Sequence, residues 1–232
     1  PILIDCVHGQ VGICHNGNIV NANEVRDRLV RAGSIFQTNS DTEVVLHLYA
    51  RSQAGSVEDA IVESITQLTG AFSFALITKD SMIAVRDPHG FRPLALGKLG
   101  DGWAVTSETC GLDLIGATYV RDVEPGEVLI IGPHGLRSIK PFPPAPLSHC
   151  IFEHVYFARP DSDVFGQSVN EVRTNLGRAL ARPRLQHPEL PILDGELDIL
   201  HVAVVLLEPL KHLQQLAVRA GHCDLERFAL RA

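Results

Sequence analysis

The sequence predicts an α+β fold in which helices and antiparallel sheets form separate layers. Two patterns carry this. Helix caps cluster before residue 70, and short apolar runs split by tight turns follow from residue 71 to residue 131. A chain that runs helices first and strands afterwards packs them as layers, whereas a parallel doubly wound sheet needs the two to alternate. A third observation is composition. Hydrophobic residues make up 45% and charged residues 20% of 232 positions, which suits a packed core and excludes general disorder.

The helices are read from their caps. Asn23 precedes Val25, Leu29 and Val30 on one face, and Gly33 ends that helix. Ser40 and Glu43 form a capping-box pattern before Val44, Val45 and Leu48. Ser56 and Asp59 make a weaker cap before Ala60, Ile61, Ile65 and Leu68, with Gly70 as the stop. Ser168 and Glu171 repeat the box before Val172, Leu176 and Leu180. The strands are VGIC (11–14), AFSFALIT (71–78), MIAVR (82–86), PLALG (93–97), WAVTS (103–107), EVLII (127–131) and a closing CIFEHVYF (150–157). DPHG, GDG and GPHG supply the reversals between them.

The composition changes near Arg182-Pro183. Residues 182–232 contain no Ser, Thr, Asn, Tyr or Trp yet hold twelve leucines. The expected organisation is therefore residues 1–181 as one domain and 182–232 as an appended Leu-rich tail. A proline at the border disfavours helix continuation. In the tail, Leu197, Leu200, Val204 and Leu207, then Leu210, Leu213 and Leu216, follow helical spacing on either side of Pro209. The single methionine is Met82 and the chain starts at Pro1, which predicts a processed product or a fragment.

Charge and cysteine use exclude several classes. With 20 basic against 27 acidic residues the formal charge is −7, and no basic stripe suggests nucleic acid as a partner. The longest apolar run of the tail, Val202 to Leu207, is too short to span a bilayer. PILIDCVHGQ lacks the basic and apolar regions of a signal peptide. Five scattered cysteines predict free thiols in a cytoplasmic setting. No Cys-x-x-Cys, His-Glu-x-x-His or phosphate-binding glycine loop occurs. Cys14 and His15 adjoin on a strand and should face opposite ways.

Two short segments could carry chemistry. In His15-Asn16-Gly17-Asn18 the Asn-Gly pair reads first as a hairpin turn. A strand ending there would also aim one side-chain N–H and one main-chain N–H at a common point, the donor pair of an oxyanion hole. In Thr38-Asn39-Ser40-Asp41-Thr42-Glu43, Asp41 reads as part of a helix cap, or as a carboxylate able to hold an ammonium group. Arg86-Asp87-Pro88-His89-Gly90-Phe91-Arg92 reads as a turn held by an Arg–Asp pair.

Five segments then occur in one order: HNGNIVNANEVRDRL, GSIFQTNSDTEVVLHLYARS, AVRDPHGFRPLALG, SETCGLDLIGATYVRDVEPGE and CIFEHVYFARPDSDVFGQSVNEVR. Together, over residues 1–181, they resemble the amidophosphoribosyltransferase family, the first four through its class II glutamine amidotransferase domain. The resemblance implies an N-terminal-nucleophile hydrolase fold with αββα layers, truncated at its N-terminus. It implies that Asn16 and Gly17 form the oxyanion hole and that Asp41 holds the α-amino group of L-glutamine, which reverses the order of the readings above. It implies ammonia passed to phosphoribosyl pyrophosphate in a further Mg2+-dependent domain, giving 5-phosphoribosylamine for purine synthesis, in a homo-oligomer. Cys150 falls where some members place one ligand of a [4Fe-4S] cluster.

The departures set further expectations. The family's nucleophilic Cys opens its mature chain, where this chain has Pro1, and Cys6 and Cys14 have no α-amine of their own to act as base. The chain by itself is expected to be inactive. The alternatives are a non-catalytic glutamine-binding or interaction module and a metal-binding module on Cys150. Exposed apolar surface and unpaired strand edges predict poor solubility or self-association.

Overall fold

The computed structural model describes residues 1–186. Pro1–Arg178 form one compact unit. The expected helix pair of the tail, and all of the tail beyond residue 186, lies outside the described residues.

The described residues begin with β1 (Ile2–Cys6) and β2 (Gly9–Ile19), then α1 (Ala22–Arg31), α2 (Thr42–Arg51) and α3 (Val57–Ile65). The strands β3 (Gly70–Ile77), β4 (Met82–Arg86), β5 (Ala95–Leu99) and β6 (Gly102–Thr106) follow. A short α4 (Thr109–Leu114) leads to β7 (Thr118–Asp122), β8 (Val128–Gly132) and β9 (Gly135–Ile139). A π-helical turn at Glu153–Phe157 and a small hairpin, β10 (Asp163–Val164) and β11 (Gln167–Ser168), precede α5 (Val169–Gln186).

One sheet has six strands in the order β1-β2-β3-β4-β8-β9, and a second has three in the order β6-β5-β7. All their pairings are antiparallel. Strand alternation sorts the side chains into two cores. Val11, Ile13, Phe72, Phe74, Leu76, Ile83, Val85, Val128 and Ile130 face α1, α2 and α3. On the opposite face Ala84 and Leu129 meet Leu94, Leu96 and Val123 of the second sheet. The outer face of that sheet carries α4 through Ala95, Leu112 and Ala117. Four layers result, helix, sheet, sheet, helix, as the α+β reading expects.

Several local expectations are corrected. The strand entering HNGN does not stop there: β2 continues to Ile19, so the Asn-Gly pair makes no hairpin. The cap of α1 is Asn21, not Asn23, and its amide joins Gln67 O and Thr69 N instead of the helix. Glu43 closes no capping box, because its carboxylate accepts from Gln37 N, Thr38 N and Thr38 Oγ1 and ties down the loop before α2. Gly70 opens β3 and does not end α3. CIFEHVYF is no strand: the main chain coils on itself, with Glu153 N donating to Cys150 O and Val155 N to Ile151 O. Arg86 and Asp87 brace the DPHG turn through main-chain atoms and not through each other. Arg86 donates to the carbonyls of Gly90, Arg92 and Val123, and Asp87 accepts from the amides of Phe72, His89 and Phe91. α5 runs on through Pro183, where the missing N–H removes one helical bond without ending the helix.

The caps at Ser56 and Ser168 form as expected, each hydroxyl accepting from the amide three residues on. Strands at 2–6, 118–122 and 135–139 carried too little alternation to be read from sequence.

Candidate functional site

The site is built on the stretch of β2 where the hairpin was expected. Gly17 keeps the strand straight. Its φ is +148°, and a Cβ there would sit 2.1 Å from the carbonyl oxygen of Ala71 on β3. Only glycine lets the two strands stay paired at that point.

The direction of the β2 amides decides what the stretch presents. Val20 N donates to Thr69 O at 2.8 Å, toward the β3 side. Ile19 N donates the other way, to Asp41 Oδ2 at 2.9 Å. Amides alternate along an antiparallel strand, so the N–H groups of Gly17 and His15 project on the same edge as that of Ile19. β1 covers this edge only as far as Ile13. Among the described residues no strand pairs with β2 there over residues 14–19.

Asp41 stands at the start of α2. Its Oδ1 accepts from Thr42 Oγ1 at 3.3 Å and lies 3.6 Å from His15 Nδ1. Burial pushes its carboxyl upward, but the neighbouring His15 and the hydrogen bond from the Ile19 amide outweigh that and hold it at about 2. Asp41 is therefore a carboxylate at any physiological pH, with lone pairs still open to a further donor. His15 packs at a tilt against Phe74, with ring centroids 4.7 Å apart, and its Nδ1 lies 3.0 Å from Thr42 Oγ1.

Asn16 faces the other way, toward the second sheet. It forms a cross-strand row with Ser73 and Arg86. Arg92, from the loop between β4 and β5, touches all three. Its carbonyl accepts from Ser73 Oγ and Arg86 Nε, and its own Nε donates to Asn16 Oδ1 at 3.0 Å. A guanidinium has only donors, so the amide of Asn16 must turn its oxygen to Arg92 and its NH2 away.

The sequence-predicted residues are thus partly gathered. Asn16 and Gly17 adjoin, and Asp41 is tied to the same strand three residues on. Cys150 lies apart from Asp41 but beside the same arginine, with Sγ 3.9 Å from Arg92 Nη1. Cys14 is exposed and His15 almost fully buried, so the two do face opposite ways. Among the described residues no group of three His, Cys, Asp or Glu converges as a metal cage. They supply one thiol beside a cation, which does not fit a four-thiolate cluster. Sequence reasoning passed over His15 and Arg92. Arg92 had a signal, a second arginine beyond a turn already closed by Arg86.

With this geometry in place, the relatives are informative. The glutamine amidotransferase domain family matches residues 1–113. Amidophosphoribosyltransferase of Bacillus subtilis is 46% identical over 175 residues, covering 75% of this chain and 37% of that protein. The chloroplastic amidophosphoribosyltransferase 2 of Arabidopsis thaliana is 51% identical over 182 residues, covering 78% and 32%. The solved B. subtilis glutamine phosphoribosylpyrophosphate amidotransferase, complexed with ADP and GMP, superposes with a TM-score of 0.76 at 45% identity, over 78% of this chain and 40% of that one. This chain therefore spans 32–40% of the length of these three relatives. The four layers described above are those of a class II glutamine amidotransferase domain of the N-terminal-nucleophile type, and by these matches the chain carries part of a glutamine amidotransferase domain similar to that of the amidophosphoribosyltransferases.

Proposed function

We propose that the described chain forms the glutamine-binding wall of an amidophosphoribosyltransferase. One observation carries this: the bond from Ile19 N to Asp41 Oδ2 puts a carboxylate on the strand edge that also bears the Gly17 amide. Two residues along a strand span about 6.8 Å. Extended glutamine measures about 6 Å from its α-nitrogen to its side-chain oxygen, from ordinary bond lengths. Asp41 would hold the α-ammonium group. The Gly17 N–H and the Asn16 NH2 would donate to the side-chain carbonyl, where negative charge develops on attack. One such donor is worth about 3 kcal/mol of transition-state stabilisation.

In the whole enzyme, the ammonia released would reach phosphoribosyl pyrophosphate in a domain outside the described residues, where Mg2+ assists and 5-phosphoribosylamine forms. A homo-oligomer in the cytoplasm is the setting we propose. The free thiols of Cys6, Cys14, Cys110 and Cys150 support the compartment. A [4Fe-4S] cluster at Cys150 would need thiolates that the described residues do not supply.

Titrating the 15N-labelled 232-residue chain with L-glutamine tests the site. The amides of Gly17 and Ile19 should move together, and Asp41→Asn should abolish the movement. Unmoved resonances at millimolar glutamine would remove the proposal. A second reading, glutamine binding without hydrolysis, is favoured by the thiols: Cys6 donates to Gly9 O within its own hairpin, and Cys14 faces solvent. Ammonia assays on this chain should then stay at the buffer blank.

A further inference from the structure

Arg92 is more tightly held than a loop arginine needs to be. Its main-chain carbonyl is fixed by Ser73 Oγ at 3.3 Å and Arg86 Nε at 2.9 Å. Arg86 is itself only 2% exposed. The side chain is then gripped from the far side by one segment of chain. Nη1 lies 3.1 Å from Glu153 Oε1, the guanidinium carbon sits 4.8 Å over the ring of Phe157, and Cys150 Sγ is within reach. Glu153 is 2% exposed and lies in the π-helical turn. An arginine beside a buried carboxylate keeps its place, because moving it would strand that charge in a poor solvent.

All this restraint ends on one atom outside the arginine's own surroundings, Asn16 Oδ1. The two faces of a side-chain amide are nearly the same shape, and only the hydrogen-bond network chooses between them. We infer that Arg92 is the positioning residue for Asn16: anchored by the Cys150–Phe157 segment, it holds the amide with its NH2 directed to the ligand. This rests on the proposed role of Asn16 as a donor to the glutamine side chain. It goes further, because it assigns two residues that never meet the ligand, Arg92 and Glu153, a share in recognition. The turn at Glu153–Phe157 thereby gains a route to a donor on β2 more than a hundred residues away in sequence.

The test uses the 232-residue chain and L-glutamine. Arg92→Met removes the donor. Arg92→Lys keeps a charge beside Glu153 but lacks the fork that reaches Asn16 and Glu153 together. Each should weaken glutamine binding about fivefold, as losing one hydrogen bond does. Asn16→Ala should weaken it by a similar factor, and Asn16→Ala with Arg92→Met should be no weaker than Asn16→Ala alone. In the ligand-free chain, Arg92→Lys should shift the side-chain NH2 resonances of Asn16 while thermal unfolding stays cooperative.

Additive losses in the double variant, or Arg92→Lys binding as the wild type does, would overturn the assignment. If glutamine leaves the Gly17 and Ile19 amides unmoved, the proposed function fails and takes the recognition role with it. If they move and the Asn16 NH2 pair ignores Arg92→Lys, the proposed function stands and this inference alone fails.

Discussion

Replacing Asp41 by Asn separates the charge of that side chain from its shape. The carboxylate titrates at about 2, against an ordinary 3.8. Because the folded value is lowered, the ionised group stabilises the fold at every pH above its ordinary value. That stabilisation fades as pH falls from about 4 toward 2. The full shift corresponds to roughly 2.5 kcal/mol. The side chain is 26% exposed, so screening brings the expected figure to about 1–2 kcal/mol. Asn is nearly isosteric and its oxygen can still accept from Ile19 N, so what it removes is chiefly charge.

The assay is urea unfolding of the wild type and Asp41→Asn in steps from pH 6 to pH 2. At pH 6 the variant's midpoint should lie about 0.5–1 M lower, taking a slope near 2 kcal/mol per M. The two midpoints should draw together as pH approaches 2, where about half of the folded wild type has taken up the proton and most of the advantage is gone. Glu43 and Glu127, whose carboxyls are also held low despite burial, titrate in both proteins and cancel in the difference. A gap that persists unchanged at pH 2 would show that geometry and not charge stabilises this corner, and the reasoning about His15 and Ile19 would be refuted.

Gly17→Ala should destabilise the chain by roughly 3 kcal/mol or more, from a backbone clash and an unfavourable φ together, measured by urea unfolding. It should also remove the glutamine-dependent movement of the Ile19 amide. Glu127→Gln should cost about 2 kcal/mol, because it breaks the pair between the buried Glu127 and the partly exposed Arg121 that ties the first sheet to the second. Differential scanning calorimetry checks it, and an unchanged Tm would count against the account of the sheet contact. Ser56→Ala should cost about 1 kcal/mol by loss of the α3 cap, read from the same scans.

Much of the fold is legible in short-range signals. The runs at 71–78, 82–86 and 103–107 are strands because β-branched and aromatic residues alternate between turns, and Ser56 caps α3 because its hydroxyl reaches an amide three residues on. Other elements were illegible for equally physical reasons. CIFEHVYF has strand composition, yet among the described residues no strand lies beside it to pair with, and its main chain satisfies itself in a π-helical turn. HNGN has turn chemistry, yet Gly17 is required by the approach of Ala71 from a strand more than fifty residues later. Arg92 looked like one more charge at a turn.

The α+β class, the caps at Ser56 and Ser168 and the residue types able to hold an amide and an ammonium group are legible in the amino-acid sequence. Each depends on neighbours a few positions apart. Tertiary structure alone decides that β2 runs straight past Asn16, that the Asp41 carboxylate lies on the edge bearing the Gly17 amide, and that Arg92 turns the Asn16 side chain. Those facts rest on strand register and on contacts between distant segments. A hydrogen bond from residue 92 to residue 16 leaves no periodicity in the chain, because only folding brings its two ends together.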